Sequence, residues 1–328
     1  MKAAVCKSLD GPKVIAIADI PTPQAGPGEV GVAVAYASLN FLDTLITRGK
    51  YQYKPSLPFS PAAEFGGVIA DIGTGVTGVK VGQRVCGYRG WGAAAERVVV
   101  KADLLTPVPD AVSLAVASGV TVTYGTAMHG LKDRGRLKAG ETVAVLGASG
   151  GAGLAAVEIA KLMGARVIAV ASSDDKLAVC RQRGADAVLN YTTTDLKQGL
   201  RDLAPNGVDV IYDCVGGDHA EAALRAIAWM GRFLVVGFAA GPIPKIPLNL
   251  ALLKSCDICG VFWGEAAVRD PAAIRANITQ VLDWVAAGKL SPHIHATLPL
   301  AEIGAAIGLL DRREATGKVV LEIGMALP

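Results

Sequence analysis

The residues most able to do chemistry lie between positions 142 and 160. Thr142-Val143-Ala144-Val145-Leu146 is an apolar run, Gly147 to Gly153 a glycine-rich turn, and Leu154-Ala155-Ala156-Val157-Glu158-Ile159-Ala160 a helix-forming stretch. Ala148-x-Gly150-x-x-Gly153 follows the dinucleotide fingerprint with alanine in place of its first glycine. Gly150 lets a pyrophosphate approach the backbone at the turn formed by Ala148, Ser149 and Gly151. The anion would then rest on the orphan N–H groups that open the next helix. A glycine triplet alone serves many strand-to-helix joints. Here Gly164-Ala165 and a second apolar run, residues 166–170, close a βαβ unit of the expected size.

The end of that second strand bears on which dinucleotide binds. An NAD-preferring site usually carries Asp or Glu there for the ribose 2′-hydroxyl; this chain has Ala171-Ser172-Ser173, followed by Lys176. Hydroxyls and an ammonium suit a 2′-phosphate, so NADP(H) is favoured over NAD(H). Asp174 and Asp175 read as the first turn of the next helix, where carboxylates complement the dipole; the same reading makes Lys176 an ordinary solvated residue.

These residues need a scaffold, and 328 residues suffice for two domains with cores of their own. A hydrophobic content of 52% with 19% charged residues fits a parallel α/β sheet. The net charge of +3 is too small to argue for nucleic acid. Residues 1–120 read as mainly β, with Val-rich runs at 30–35, 67–72 and 97–100 between Pro and Gly clusters. From there to residue 262, strands alternate with helices at 143–146, 167–170, 187–189, 208–214, 233–237 and 258–262, which predicts a doubly wound parallel sheet. Residues 263–328, with helices over 271–287 and 301–313 and a strand over 318–323, are too short for a separate core and are expected to rejoin the first domain. Residues 1–13 lack a signal-peptide core, and the uncharged stretch 111–130 is too rich in Ser, Thr and Gly for a membrane span; it reads as a buried helix pair. A cytoplasmic location and no membrane contact are expected.

The six cysteines are scattered, as free thiols are. Cys256-x-x-Cys259 has no second pair to complete a zinc site. His293-Ile294-His295 alternates as a strand would, placing both rings on one face, but no further metal ligands stand out.

Taken in order, Ala37-Ser38-Leu39-Asn40-Phe41-Leu42-Asp43-Thr44, Pro58-Phe59-Ser60-Pro61-Ala62-Ala63-Glu64-Phe65-Gly66-Gly67, Gly78-Val79-Lys80-Val81-Gly82-Gln83-Arg84-Val85, the fingerprint and Thr316-Gly317-Lys318-Val319-Val320-Leu321 resemble the medium-chain dehydrogenase/reductase superfamily. The resemblance is to its zinc-free quinone oxidoreductase, or zeta-crystallin-like, branch, and it spans nearly the whole chain. It implies a Rossmann-type sheet inserted in a GroES-like, mainly β catalytic domain. Zinc members place Cys three residues before the Asp of the first motif and Gly-His-Glu in the second. This chain has Asn40 and Ala62-Ala63-Glu64 there, and only Cys86 in the region of the four-Cys structural lobe. No tetrahedral zinc set assembles.

Without zinc, hydrogen-bond donors must stabilise charge on a carbonyl oxygen while NADPH delivers hydride, which suits a quinone or an α,β-unsaturated carbonyl compound. By resemblance, Asn40 donates to that carbonyl, Tyr51 donates a hydrogen bond or proton, and Thr126 positions the nicotinamide. Read from the residues alone, Asn40 is also a helix N-cap with Asp43 at the capping-box position and Gly49 at the stop; for Asp43 capping is the preferred reading. Tyr51, beside Tyr53, also reads as a packing aromatic. Leu45 stands where some bacterial relatives have a pocket Tyr, which makes the pocket more apolar.

The resemblance further implies that Ser172, Lys176, Tyr191 and Arg313 hold the 2′-phosphate, although Arg313 also reads as a charge ending a helix. Gly216, Phe238 and Phe262 are expected at strand ends lining the cofactor cleft. A homodimer through the edge strand near Ile258 and Phe262 is implied as well. The competing readings are an enoyl-thioester reductase, which would need a basic patch, and a crystallin-like NADPH- or RNA-binding protein, against which the absence of a basic run argues.

Overall fold

The structure, a computed structural model, describes residues 1–324. It comprises two units: Met1–Gly125 together with the residues from Gly264 on, and Thr126–Trp263. The first unit begins with strands β1 (Lys2–Val5), β2 (Ala16–Asp19), β3 (Glu29–Leu39), β4 (Glu64–Ile72), β5 (Arg84–Tyr88), β6 (Arg97–Lys101) and β7 (Leu105–Pro107). The second supplies β8 (Thr142–Leu146), β9 (Arg166–Ala171), β10 (Ala187–Asn190), β11 (Val208–Asp213), β12 (Ile227–Val235) and β13 (Asp257–Gly260). The chain then returns to the first unit for β14 (Ile294–Pro299) and β15 (Lys318–Glu322).

In the first unit one sheet runs β14-β15-β3-β4-β5-β7, with β6 also paired to β3. Val30, Val32, Val34, Phe65, Ile69 and Leu321 converge on its core, each 1% exposed or less. Burying such a side chain is worth about 1.5–3 kcal/mol, so this face holds the strands together. β15 lies antiparallel to β3 with Val319 opposite Leu39, which brings the end of the chain beside the residue preceding Asn40. Three helices belong wholly or partly here: α1 (Phe41–Ile46), α2 (Leu114–Ser118) and α3 (Thr123–Met128). α1 stops as expected near Gly49, whose φ of 65° favours glycine. The uncharged stretch 111–130 yields the short helices α2 and α3, and among the described residues no helix is long and apolar enough to cross a membrane.

In the second unit six parallel strands run β10-β9-β8-β11-β12-β13, so strand order reverses between β8 and β11. Val143, Ala144, Val145 and Leu146 are buried to 1% exposure or less, as the uninterrupted apolar run of a central parallel strand requires. Helices α4 (Gly151–Leu162), α5 (Asp174–Gln182), α6 (Leu196–Leu203), α7 (Asp218–Leu224) and α8 (Asn249–Lys254) alternate with the strands. The architecture is α/β, a Rossmann-type doubly wound sheet interrupting a mainly β unit.

Several boundaries differ from the sequence expectation. β12 begins at Ile227, not near 233, because Arg232 sits in the strand with its guanidinium on Gly135 O and, through both terminal nitrogens, on Glu141. The strand also carries a bulge opposite 208–210 and a left-handed Met230, φ 57°. β13 ends at Gly260, and a helix not expected from the sequence, α9 (Trp263–Arg269), follows. The later helices are α10 (Pro271–Ala286), capped by Asp270, and α11 (Ile303–Asp311). β14, signalled only by the alternation at His293-Ile294-His295, places both rings within reach of Thr316 Oγ1, at 3.5 and 3.3 Å. All six cysteines are free thiols.

Candidate active site

The turn after β8 combines one glycine that the fold requires with one that it does not. A Cβ on Gly153 would lie 2.8 Å from Ala148 Cα and still closer to Gly147 O, so only glycine lets α4 start this near the strand. At Gly150, the N-cap of α4, the backbone has φ −73° and ψ 168°, which any residue adopts. A Cβ there would find no atom nearer than Gly147 O, at 3.6 Å. The space beside Gly150 is therefore open, and the first N–H groups of α4 have no partner within the helix. Ala148 and Ser149 are buried beneath the turn, while Gly151 is half-buried. The open turn thus sits at a helix N-terminus, where strand order reverses, the arrangement that suits an anion.

At the ends of β9 and β10 the chain brings Ser172, Lys176 and Tyr191 into one neighbourhood. Ser173 caps α5, and Lys176 Nζ lies 3.5 Å from Ser172 Oγ. The Tyr191 N–H donates to Ala171 O, and its ring packs on His219 with centroids 4.4 Å apart. Asp174 accepts from the Asn190 amide at 2.9 Å and heads the helix with Asp175, as the dipole reading expects. Gly216 and Phe238 meet beyond β11 and β12: Asp213 accepts the N–H groups of Val215 and Gly216, and a Cβ on Gly216 would lie 2.8 Å from the Phe238 ring. Phe262 follows β13 and is 46% exposed. Arg313 belongs to the other unit, in the left-handed position after α11 with φ 58°.

In the first unit the sequence reading missed two charges that organise the site, Glu64 and Lys318. Both are buried, at 0% and 3% exposure, and both head apolar strands. Lys318 Nζ donates to Glu64 Oε1 at 2.8 Å, to Asn40 Oδ1 at 2.7 Å and to Leu39 O at 3.2 Å. Asn40 Nδ2 donates to Glu64 Oε1 at 2.9 Å, and Glu64 Oε2 accepts the Val122 N–H at 2.7 Å. The Asn40 side chain is thus tied to the ion pair. Asn40 is the N-cap of α1 in a capping box with Asp43, whose carboxylate accepts the Asn40 N–H at 2.8 Å and the Ala62 N–H at 2.9 Å. The second bond holds Ala62 in a left-handed conformation, φ 63°, that a non-glycine residue adopts only when its surroundings impose it.

Complete burial pushes the Asp43 carboxyl up to about 6, against the pull of its two N–H donors and of Lys318. The folded protein therefore keeps a proton that the unfolded chain releases near the ordinary carboxyl value of 3.8. Stability from this group is fully present below that value and is lost as pH rises through 6, about 3 kcal/mol in all. The unfolding free energy of the native chain minus that of Asp43→Asn is expected to fall by most of this amount between pH 4 and 7. A difference independent of pH would show that Asp43 does not titrate in that window.

Tyr51 is half-buried against Cys6, Ile46 and Phe59, edge-on to Tyr53 at 5.7 Å; Tyr53 in turn leans on Trp91 at 6.2 Å. Burial pushes the Tyr51 hydroxyl up to about 12, so it remains a donor throughout the neutral range. Thr126 is half-buried in α3 and belongs to the second unit. Among the described residues, no group of three or more His, Cys, Asp or Glu side chains is placed to hold a metal ion.

Comparison with known proteins adds to this geometry. Residues 26–110 match the alcohol dehydrogenase GroES-like domain, and residues 151–287 match the zinc-binding dehydrogenase family. The chain is 39% identical over 324 residues to quinone oxidoreductase-like protein 2 of Rattus norvegicus, covering 98% of this chain and 92% of the relative. It is 34% identical over 303 residues to a mycocerosic acid synthase-like polyketide synthase of Mycobacterium tuberculosis, covering 91% of this chain and 14% of the synthase. Among solved structures, Escherichia coli quinone oxidoreductase complexed with NADPH superposes with a TM-score of 0.91 at 25% identity, over 98% of this chain and 100% of that one.

Proposed function

Because the chain belongs to the zinc-free quinone oxidoreductase branch of the medium-chain dehydrogenase/reductase superfamily, we propose that it is a cytoplasmic NADPH-dependent reductase of quinones or other α,β-unsaturated carbonyl compounds. The observation that carries this reading is the turn at Gly150, open where a pyrophosphate must approach and placed where the strand order reverses. The bound nicotinamide supplies the hydride. Gly150, Gly151 and Gly153 seat the pyrophosphate, with Ala148 and Ser149 beneath it. Ser172, Lys176 and Tyr191 hold the 2′-phosphate through hydroxyl and ammonium donors; Arg313 enters that set on family resemblance alone. Gly216, Phe238 and Phe262 flank the cofactor at the strand ends, and Thr126 orients the ring.

Negative charge developing on the carbonyl oxygen is met by the Asn40 amide and the Tyr51 hydroxyl, and no metal is required. A hydroquinone anion or enolate is already delocalised, so water suffices as its proton source. Likeness to part of a polyketide synthase favours a second acceptor class, α,β-unsaturated thioesters. We further propose a homodimer through the edge strand β13, since β12, α8 and β13 expose Trp229, Met230, Leu252, Leu253 and Ile258.

Consumption of NADPH and NADH by chelator-treated protein, measured against quinones, enones and enoyl thioesters, tests the reading. Turnover preferring NADPH is expected; zinc-restorable inactivation, or silence on every acceptor, would overturn it. Lys176→Ala is expected to raise the KM for NADPH about tenfold, roughly the worth of one charge-assisted contact, and to leave that for NADH within about twofold. Equal changes would remove Lys176 from the phosphate site.

A further inference from the structure

We infer that Glu64 and Lys318 are positioning residues for this reaction: together they lock the Asn40 amide so that only N–H is offered to the substrate oxygen. The inference rests on Asn40 being the group that meets that oxygen. A free carboxamide can turn by 180° and present either its carbonyl or its amino end. Here that turn is forbidden from both sides. The Lys318 ammonium, which can only donate, stands 2.7 Å from Oδ1, and the Glu64 carboxylate accepts from Nδ2 at 2.9 Å. A flipped amide would set its amino group against the ammonium and its oxygen against the carboxylate.

Neither partner is free to follow such a turn. Lys318 directs its donors at Leu39, Asn40 and Glu64, and Glu64 is held at its other oxygen by the Val122 N–H. Asn40 is 7% exposed, and among the described residues its second N–H has no acceptor. That hydrogen remains for a ligand. An apolar pair could fill the space of Glu64 and Lys318 without the desolvation penalty of two buried charges. It could not distinguish the two ends of an amide.

The test is a double-mutant cycle on turnover. Lys318→Met is made in the native chain and in Asn40→Ala, with Glu64→Gln/Lys318→Met as a second form that keeps a polar, uncharged partner. In the native background Lys318→Met is expected to lower kcat about tenfold, the scale of a misaligned donor, with KM for NADPH unchanged. In the Asn40→Ala background it should lower kcat by less than about twofold, while the fall in Tm is the same in both. Equal kcat losses in the two backgrounds, or full recovery of kcat in the charge-neutral double variant, would overturn the inference. Should Asn40→Ala leave kcat unchanged, or should no acceptor turn over, the assignment of Asn40 fails, and the lock is then judged by 15N NMR of the Asn40 side chain. Two distinct, exchange-protected amide protons that lose protection in the double variant support it; a rapidly exchanging amide in the native chain refutes it.

Discussion

Lys318→Met is expected to remove about 3–5 kcal/mol of unfolding free energy, because it leaves the Glu64 carboxylate buried without its counter-ion. The loss is large against a total of about 5–15 kcal/mol for a typical domain. Glu64 is fully buried and its other contacts are single N–H donors from Asn40 and Val122. Those donors cannot neutralise a charge that water no longer solvates. Glu64→Gln with Lys318→Met is expected to regain most of the loss. The new amide can still accept the Val122 N–H and, once the Asn40 amide is free to turn over, donate to its oxygen, and no charge remains buried. Equilibrium denaturation of both variants decides the matter. A single variant as stable as the native chain, or a double variant no better than the single, would show that the pair does not bear this weight.

Gly150→Ala and Gly153→Ala, three residues apart, are expected to fail in different ways. At Gly153 the methyl collides with the Gly147-Ala148 backbone, which cannot yield without lifting α4 from β8; a stability loss of about 1–3 kcal/mol is expected. At Gly150 the methyl meets nothing inside the protein closer than 3.6 Å, and the backbone is one alanine adopts freely. Stability there should change by less than about 0.5 kcal/mol. The methyl would stand where a pyrophosphate must come, so NADPH affinity is expected to fall about tenfold or more. Thermal melts and NADPH titration by calorimetry separate the two effects. Undiminished affinity in Gly150→Ala would place the cofactor elsewhere.

The second unit is largely legible in the sequence because buried parallel strands such as β8, β9 and β11 leave apolar runs, whereas the edge strand β13 is mostly exposed and its apolar signal runs past its end into Val261 and Phe262. β12 was truncated in that reading because its first half contains Trp229, Met230, Gly231 and Arg232, of which Arg232 is admitted to the strand only by Glu141, 91 positions away. In the first unit the pattern at Asn40 and Asp43 marks a helix start with Asp43 as a cap, as found, but local spacing could not show that the Asn40 side chain turns to an ion pair. Glu64 and Lys318 are 254 positions apart, and no periodicity links them. What could have drawn attention to them is that each begins a strand and is followed at once by buried apolar or glycine residues, Phe65-Gly66-Gly67 and Val319-Val320-Leu321, where a charge needs a partner.

That separation bears on the order in which the protein is made. Every strand of the nucleotide sheet comes from one continuous segment, so it can close as soon as that segment is synthesised. The mainly β sheet has a gap beside β3 until β15 arrives, and Glu64 waits for its counter-ion over the same interval. The unit begun first is therefore completed last, and on a ribosome adding about 5–20 residues per second its half-built sheet edge stays open for more than 200 residues of further synthesis. During those seconds the nascent chain is most exposed to edge-to-edge association, and chaperone binding at that stage would favour the exposed side of β3.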